Sequence, residues 1–206
     1  MNRRELTAAL QAKDFSPYYR MADEIRFREK GDYVDIRGIL EFSNICRRQC
    51  VYCGLNRANQ SLHRYRMAPD EIIAAANDAA SAGYRTLVMQ SGEDPWFTPE
   101  ILGELVKEIK KTGMAITLSC GEMPEKDYAY LRECGADRYL LKHETADPEI
   151  YAAIHPDSSL AERVACLKSL KRLGFETGSG FMIGLPNQTA ETLADDLLLL
   201  QEIGCD

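Results

Sequence analysis

The chain has 206 residues, 45% hydrophobic and 28% charged, with a formal net charge of −7. That balance fits one globular domain with a real core. It excludes a general binder of nucleic acid or of membrane surfaces, which needs a basic face to meet phosphates. No stretch approaches the roughly 18 apolar residues of a membrane span. The start, Met1-Asn2-Arg3-Arg4-Glu5, leads into polar sequence, unlike the apolar run of a secretory signal. A cytoplasmic protein is expected.

Residues 1–35 are expected to form an N-terminal helical segment ahead of a core over residues 36–206. The first apolar run, 36–42, reads as a strand and runs into a cysteine cluster. An amphipathic stretch over 69–82 predicts a helix stopped by Gly83. Residues 86–90 form a second strand, followed by a polar loop, Ser91-Gly92-Glu93-Asp94-Pro95, and a helix over about 98–111. The third strand is 114–119, then a helix over about 124–133. The fourth strand is 138–142, then a helix over 158–173. The fifth strand, 175–183, is interrupted by Gly178 and Gly180, and a helix over 191–203 follows.

Strand, loop and helix repeated five times imply a parallel sheet, either a (β/α) barrel or an open doubly wound sheet. Polar segments fall after each of the first four strands, as on the functional rim of a barrel, which favours the barrel. A sixth strand is expected where the sequence stops, so the first five βα units of a truncated barrel are the expectation.

Seven cysteines, three of them within eight residues, make a poor disulfide framework and a good metal or cofactor site. The segment is Cys46-Arg47-Arg48-Gln49-Cys50-Val51-Tyr52-Cys53-Gly54. Three thiolates at this spacing can hold an iron–sulfur cube and leave one iron open for a small molecule. Two alternatives stay open at this point. The i, i+4, i+7 spacing would also place three structural cysteines on one helix face, and a zinc ion could take the three cysteines with His63. Five arginines (47, 48, 57, 64, 66) and no acidic residue lie between Cys46 and Arg66. They read either as a positive field toward an anionic cluster, substrate or electron donor, or as a solvated loop.

The CxxxCxxC loop after a first strand, with an aromatic before its last cysteine, resembles the radical S-adenosylmethionine (SAM) superfamily. Glu41-Phe42-Ser43-Asn44, Cys53-Gly54-Leu55-Asn56-Arg57-Ala58-Asn59, the segment from Gln90 through Pro95 and Gly121-Glu122-Met123-Pro124 resemble the HydE family of [FeFe]-hydrogenase maturases. So do the segments from Ala136 through Thr145 and from Gly184 through Thr189. The family commonly shows Arg at Lys142 and Gly at Asn187.

The resemblance implies a TIM-like barrel with a [4Fe–4S] cluster on Cys46, Cys50 and Cys53. It implies reductive cleavage of SAM to a 5′-deoxyadenosyl radical. It also implies SAM contacts from Tyr52, Ser91, Gly92, Glu93, Thr117, Ser119, Glu144, Arg163 and Met182. His143 is expected to be structural or to line the substrate cavity. An organometallic iron substrate, an electron donor such as flavodoxin or ferredoxin, and the partner maturases HydG and HydF are likewise implied. Alternatives are 3-methylornithine synthase-like lysine rearrangement, a biotin synthase-like reaction, or a non-catalytic iron–sulfur or zinc protein.

Overall fold

In the computed structural model, which describes all 206 residues, five strands form one parallel sheet in the order β1-β2-β3-β4-β5. The strands are β1 (Gly38–Ser43), β2 (Thr86–Ser91), β3 (Ala115–Ser119), β4 (Arg138–Leu140) and β5 (Glu176–Gly178). Each strand pairs with its sequence neighbours, without the order reversal of a doubly wound sheet. The result is a partial barrel wall.

Eight helices accompany it: α1 (Arg3–Leu10), α2 (Ser16–Lys30), α3 (Pro69–Ser81), α4 (Pro99–Lys110), α5 (Glu125–Glu133), α6 (Pro148–Ile154), α7 (Leu160–Arg172) and α8 (Ala190–Ile203). None is long and apolar enough to cross a membrane. Helices α1 and α2 bury no residue; α1 meets α8 through a two-pronged Arg3–Asp195 pair at 2.6 and 2.8 Å.

The core lies between sheet and helices. Phe42, Leu87, Met89, Ile116, Leu118 and Tyr139 point outward against Ile72, Leu102, Val106, Ile109, Leu131 and Leu167. Each such aliphatic side chain contributes about 1.5–3 kcal/mol on burial. The alternate residues face the concave side, and register places Val88 beside Thr117, and Glu41 and Ser119 on either side of Gln90. A polar inner row therefore crosses the C-terminal ends of β1, β2 and β3.

Three expectations need correction. The fifth strand is confined to Glu176–Gly178, with one further bridge between Phe181 and Glu144. Gly178 and Gly180 offer no side chains to pack, and the chain leaves the ladder there. The fourth strand stops at Leu140, two residues short of the expected end. Helix α6 lies in a stretch expected to have no element; Asp147 caps it by accepting from the Glu149 and Ile150 N–H groups, and Pro148 supplies the first helical position.

Candidate functional site

Cys46, Cys50 and Cys53 sit in irregular chain directly after β1, not on a helix, which removes the helix-face alternative. No three His, Cys, Asp or Glu side chains converge as ligands of a single ion. The Cys46 sulfur faces two backbone N–H groups, from Arg48 and Glu93, each at 3.4 Å. Cys50 is buried, with its Sγ 3.1 Å from His155 Nε2. Burial first, then the neighbouring Cys46 and Cys53 charges, push its thiol up to about 11.

The loop is gripped by segments that the sequence did not single out. Between α6 and α7, the Ile154 carbonyl accepts from Val51 N–H (3.0 Å), and Asp157 Oδ2 accepts from Gln49 N–H (3.1 Å). The Asp157 carbonyl accepts from Arg48 Nη1 (2.9 Å). The His155 ring stacks on Tyr151 at 5.2 Å between centroids, and burial followed by the Arg163 charge lowers its pKa.

Four of the five arginines make ties within the chain, which neither reading of the basic stretch anticipated. Arg64 donates to the carbonyls of Asn44 (2.5 Å), Leu55 (2.9 Å), Asn56 (2.7 Å) and Asn59 (3.3 Å). Arg48 bridges Glu93 (2.7 Å) and Glu122 (2.5 Å). Arg66 forks onto Asp94, both contacts at 2.7 Å. Asp94 also accepts from Ser43 Oγ (2.7 Å) and Trp96 N–H (3.1 Å). Burial alone would raise the Asp94 carboxyl, but Arg66, Ser43 and the Trp96 amide outweigh it and hold the carboxyl low. Arg47, Arg57 and Arg66 are exposed, whereas Arg48 and Arg64 are half-buried.

The loop after β2 meets the cysteines backbone to backbone. A Cβ on Gly92 would lie 2.3 Å from the Ile45 carbonyl oxygen and 2.8 Å from Cys46 Cβ, so only glycine fits. Glu93 Oε2 accepts from Arg47 (3.0 Å) and Arg48, while Oε1 accepts from Glu122 N–H (3.1 Å). Its carboxylate is thus already engaged. Ser91 is half-buried beside it.

On the inner face of β3, Thr117 is buried with its hydroxyl unpartnered, and Ser119 is half-buried. Glu144, just past β4, is buried, has φ 67°, and leaves Oε2 without a hydrogen-bond partner. Tyr52 reaches toward it from the cysteine loop; desolvation first, then the Glu144 and Cys50 charges, raise the phenol's pKa. Arg163 on α7 is buried, donating to Glu122 (2.6 Å) and the Lys142 carbonyl (2.6 Å), with Nη2 3.0 Å from His155. Burial alone would lower its pKa, yet the Glu122 charge raises it above the usual value. The Met182 N–H donates to the Glu144 carbonyl (2.9 Å).

Thus Cys46, Cys50, Tyr52, Gly92, Glu93, Glu144, Arg163 and Met182 are linked through shared contacts, while Thr117 and Ser119 lie along the inner row. Sequence reasoning missed His155, Asp157 and the tie made by Glu122. The Asp147-Pro148 capping signal could have revealed α6, but nothing local shows that its far end grips the cysteines.

A one-strand-after-another parallel wall, carrying CxxxCxxC after its first strand, defines the class. The radical SAM superfamily model matches residues 40–200, and the chain belongs to that superfamily of enzymes, which implies a [4Fe–4S] cluster and SAM. Among curated proteins it is similar to the [FeFe] hydrogenase maturase subunit HydE of Thermotoga maritima, 54% identical over 89% of this chain and 53% of that protein. It is also similar to 3-methylornithine synthase of Methanosarcina acetivorans, 28% identical over 92% of this chain and 55% of that one. The crystal structure of methylornithine synthase superposes with a TM-score of 0.92 at 27% identity, covering all of this chain and 62% of that one. The chain spans about half the length of the curated relatives it matches.

The residues present fit the implied groups. Three cysteines follow β1, one with two amide donors on its sulfur, and a buried carboxylate oxygen and a buried hydroxyl on the concave side lack partners. Buried polar atoms left in that state are costly unless a ligand or water completes them.

Proposed function

We propose that the chain supplies the cluster- and SAM-binding part of a HydE-like maturase acting in assembly of the [FeFe]-hydrogenase active site. The observation that carries the site is Glu144, buried with one carboxylate oxygen unpartnered beside Tyr52 of the cysteine loop. The choice among relatives rests on identity: 54% to HydE against 28% to 3-methylornithine synthase.

In this reading Cys46, Cys50 and Cys53 hold the [4Fe–4S] cluster. Bound together, cluster and SAM supply one-electron cleavage of the sulfonium to a 5′-deoxyadenosyl radical. The Arg48 and Glu93 N–H groups steady the Cys46 thiolate by donating to it. Glu144 accepts from the ammonium or ribose hydroxyls of SAM, and Thr117 and Ser119 offer hydroxyls along the inner wall. Ser91 and Gly92 border the methionine end, and Met182 offers an apolar shelf for adenine.

Arg163 meets the SAM carboxylate by giving up Nη2, its one contact with a partner that is neither an anion nor a carbonyl, while Glu122 and the Lys142 carbonyl keep the fork oriented. Glu93 contributes its backbone, since its carboxylate already holds Arg47 and Arg48.

The substrate is an organometallic iron species received from HydG, with the product passed to HydF and the electron supplied by flavodoxin or ferredoxin. Anaerobic reconstitution tests the cofactor set. About four irons per chain, with the reduced cluster's EPR signal altered by SAM, is the expected result; one zinc and no response to SAM would overturn it. Activation of an apo-hydrogenase in the presence of HydF and HydG tests the role. Conversion of lysine instead would transfer the chain to the 3-methylornithine synthase reading.

A further inference from the structure

Glu144 occupies backbone space that L-residues rarely adopt, with φ 67°, so something must hold it there. Its own N–H and carbonyl bond to Gly180 and Met182 and fix it along the strand direction. They do not explain why residues 143–146 turn around it.

The Thr145 N–H donates across that turn to the His143 carbonyl at 2.8 Å, and a carboxylate from α8 holds its far end. Asp196 is fully buried, and its Oδ1 accepts from the Ala146 N–H while lying 3.7 Å from His143 Nε2. The two groups flank Glu144 on either side. On the other side of the ring, the Ser179 hydroxyl is 3.0 Å from His143 Nδ1 and accepts from the His143 backbone N–H at 3.1 Å. The Ser179 hydroxyl thus meets both the ring and the backbone of His143, while Nε2 faces the Asp196 carboxylate without a hydrogen bond. The His143 ring, fully buried, is pinned between α8 and the end of β5. Neither Asp196 nor Ser179 reaches the cysteine loop.

We propose that Asp196 is the positioning residue of the SAM site. By holding the Ala146 N–H, Asp196, with Ser179 fixing the His143 ring, keeps Glu144 in its left-handed conformation with the carboxylate presented to SAM. The proposal rests on the assignment of Glu144 above. Asp196 lies 52 residues along the chain and touches no cofactor-binding residue directly, so its effect passes through Glu144.

The test is SAM binding to the reconstituted, cluster-loaded protein by equilibrium dialysis, with iron and sulfide content measured in each variant. Asp196→Ala is expected to weaken SAM binding about tenfold or more, which is about 1.4 kcal/mol, with cluster content unchanged. Asp196→Asn retains an oxygen acceptor for the Ala146 N–H and is expected to stay within about threefold of the parent.

The decisive arm is the double variant. Once Glu144 is Ala, Asp196→Ala should change SAM affinity by less than about twofold, because residues acting through one another are not additive. Additive losses, or an unchanged constant in Asp196→Ala, overturn the inference. If Asp196→Ala does not fold, Ser179→Ala takes its place, with a loss of about threefold that also vanishes in the Glu144→Ala background; a loss that persists there overturns the inference. Unchanged affinity in Glu144→Ala alone would remove the Glu144 assignment and the inference with it. A weakened Glu144→Ala beside an unaffected Asp196→Ala removes only the inference.

Discussion

One wall of the candidate site, residues 44–66, runs without a helix or strand, whereas the opposite wall stands on strand ends whose far side is packed with Leu87, Met89, Ile116 and Leu118. The first wall is held by guanidinium groups. Arg64 collects four carbonyls, Arg48 joins two carboxylates and a carbonyl, and Arg66 clasps Asp94. The second wall is held by ladder hydrogen bonds and apolar burial, so its polar side chains are free to face inward, and two of them lack partners. A ligand loop that must wrap a cluster cannot also be a strand, and its orphan carbonyls need donors from elsewhere. Arginine, with five donors in a rigid fork, meets several at once.

The largest effect is expected on the packed wall. Leu118→Ala should lower global stability by about 2–5 kcal/mol in denaturant unfolding, since a fully buried leucine leaves a cavity. Hydrogen exchange of residues 54–61 should keep its protection relative to the rest of the chain. A selective loss of protection there would break the contrast, because the loop would then depend on the core as much as on its arginines.

Arg64→Ala should cost about 2–3 kcal/mol, concentrated in that loop, through lost charged hydrogen bonds. Exchange of residues 54–61 should accelerate and cluster content after reconstitution should fall. Arg64→Lys should recover only part, because a point ammonium cannot span four carbonyls.

Asp94→Asn sharpens the comparison through pH. The folded carboxyl is held below its ordinary value, so its contribution is present above roughly pH 4 and is lost as pH falls through the depressed folded value. The parent should lose thermal stability on acidification more steeply than Asp94→Asn, which should start about 1–2 kcal/mol lower at neutral pH. Parallel melting-temperature profiles below roughly pH 5 would contradict this.

The smallest effect on stability is expected at Thr117. Thr117→Val deletes a buried hydroxyl that has no partner, so stability should stay within about 0.5 kcal/mol or rise. SAM affinity should fall severalfold. A clear loss of stability would mean that the hydroxyl serves the fold instead of the ligand.

Much of this division was legible in the chain. The short apolar runs 86–90 and 114–119 mark strands, and CxxxCxxC marks the ligand loop. The basic stretch after Cys46 was not legible, because an arginine pattern looks the same whether it faces a partner, water or the backbone of its own loop. The fifth strand was overextended, since apolar residues around Gly178 and Gly180 carry strand propensity but the glycines leave the ladder early. Helix α6 was missed although Asp147-Pro148 announces it, being too short for an apolar period to show.

The sequence by itself determined the parallel βα order and the three thiols after the first strand. Each of these follows from local periodicity or from spacing within one loop. Only the tertiary structure decided that His155 and Asp157 grip the cysteines, that Glu93 is already engaged, and that Asp196 brackets Glu144. Those pairings join residues from about 30 to 110 positions apart, and such partners are chosen by how helices settle on the sheet, which no local pattern encodes.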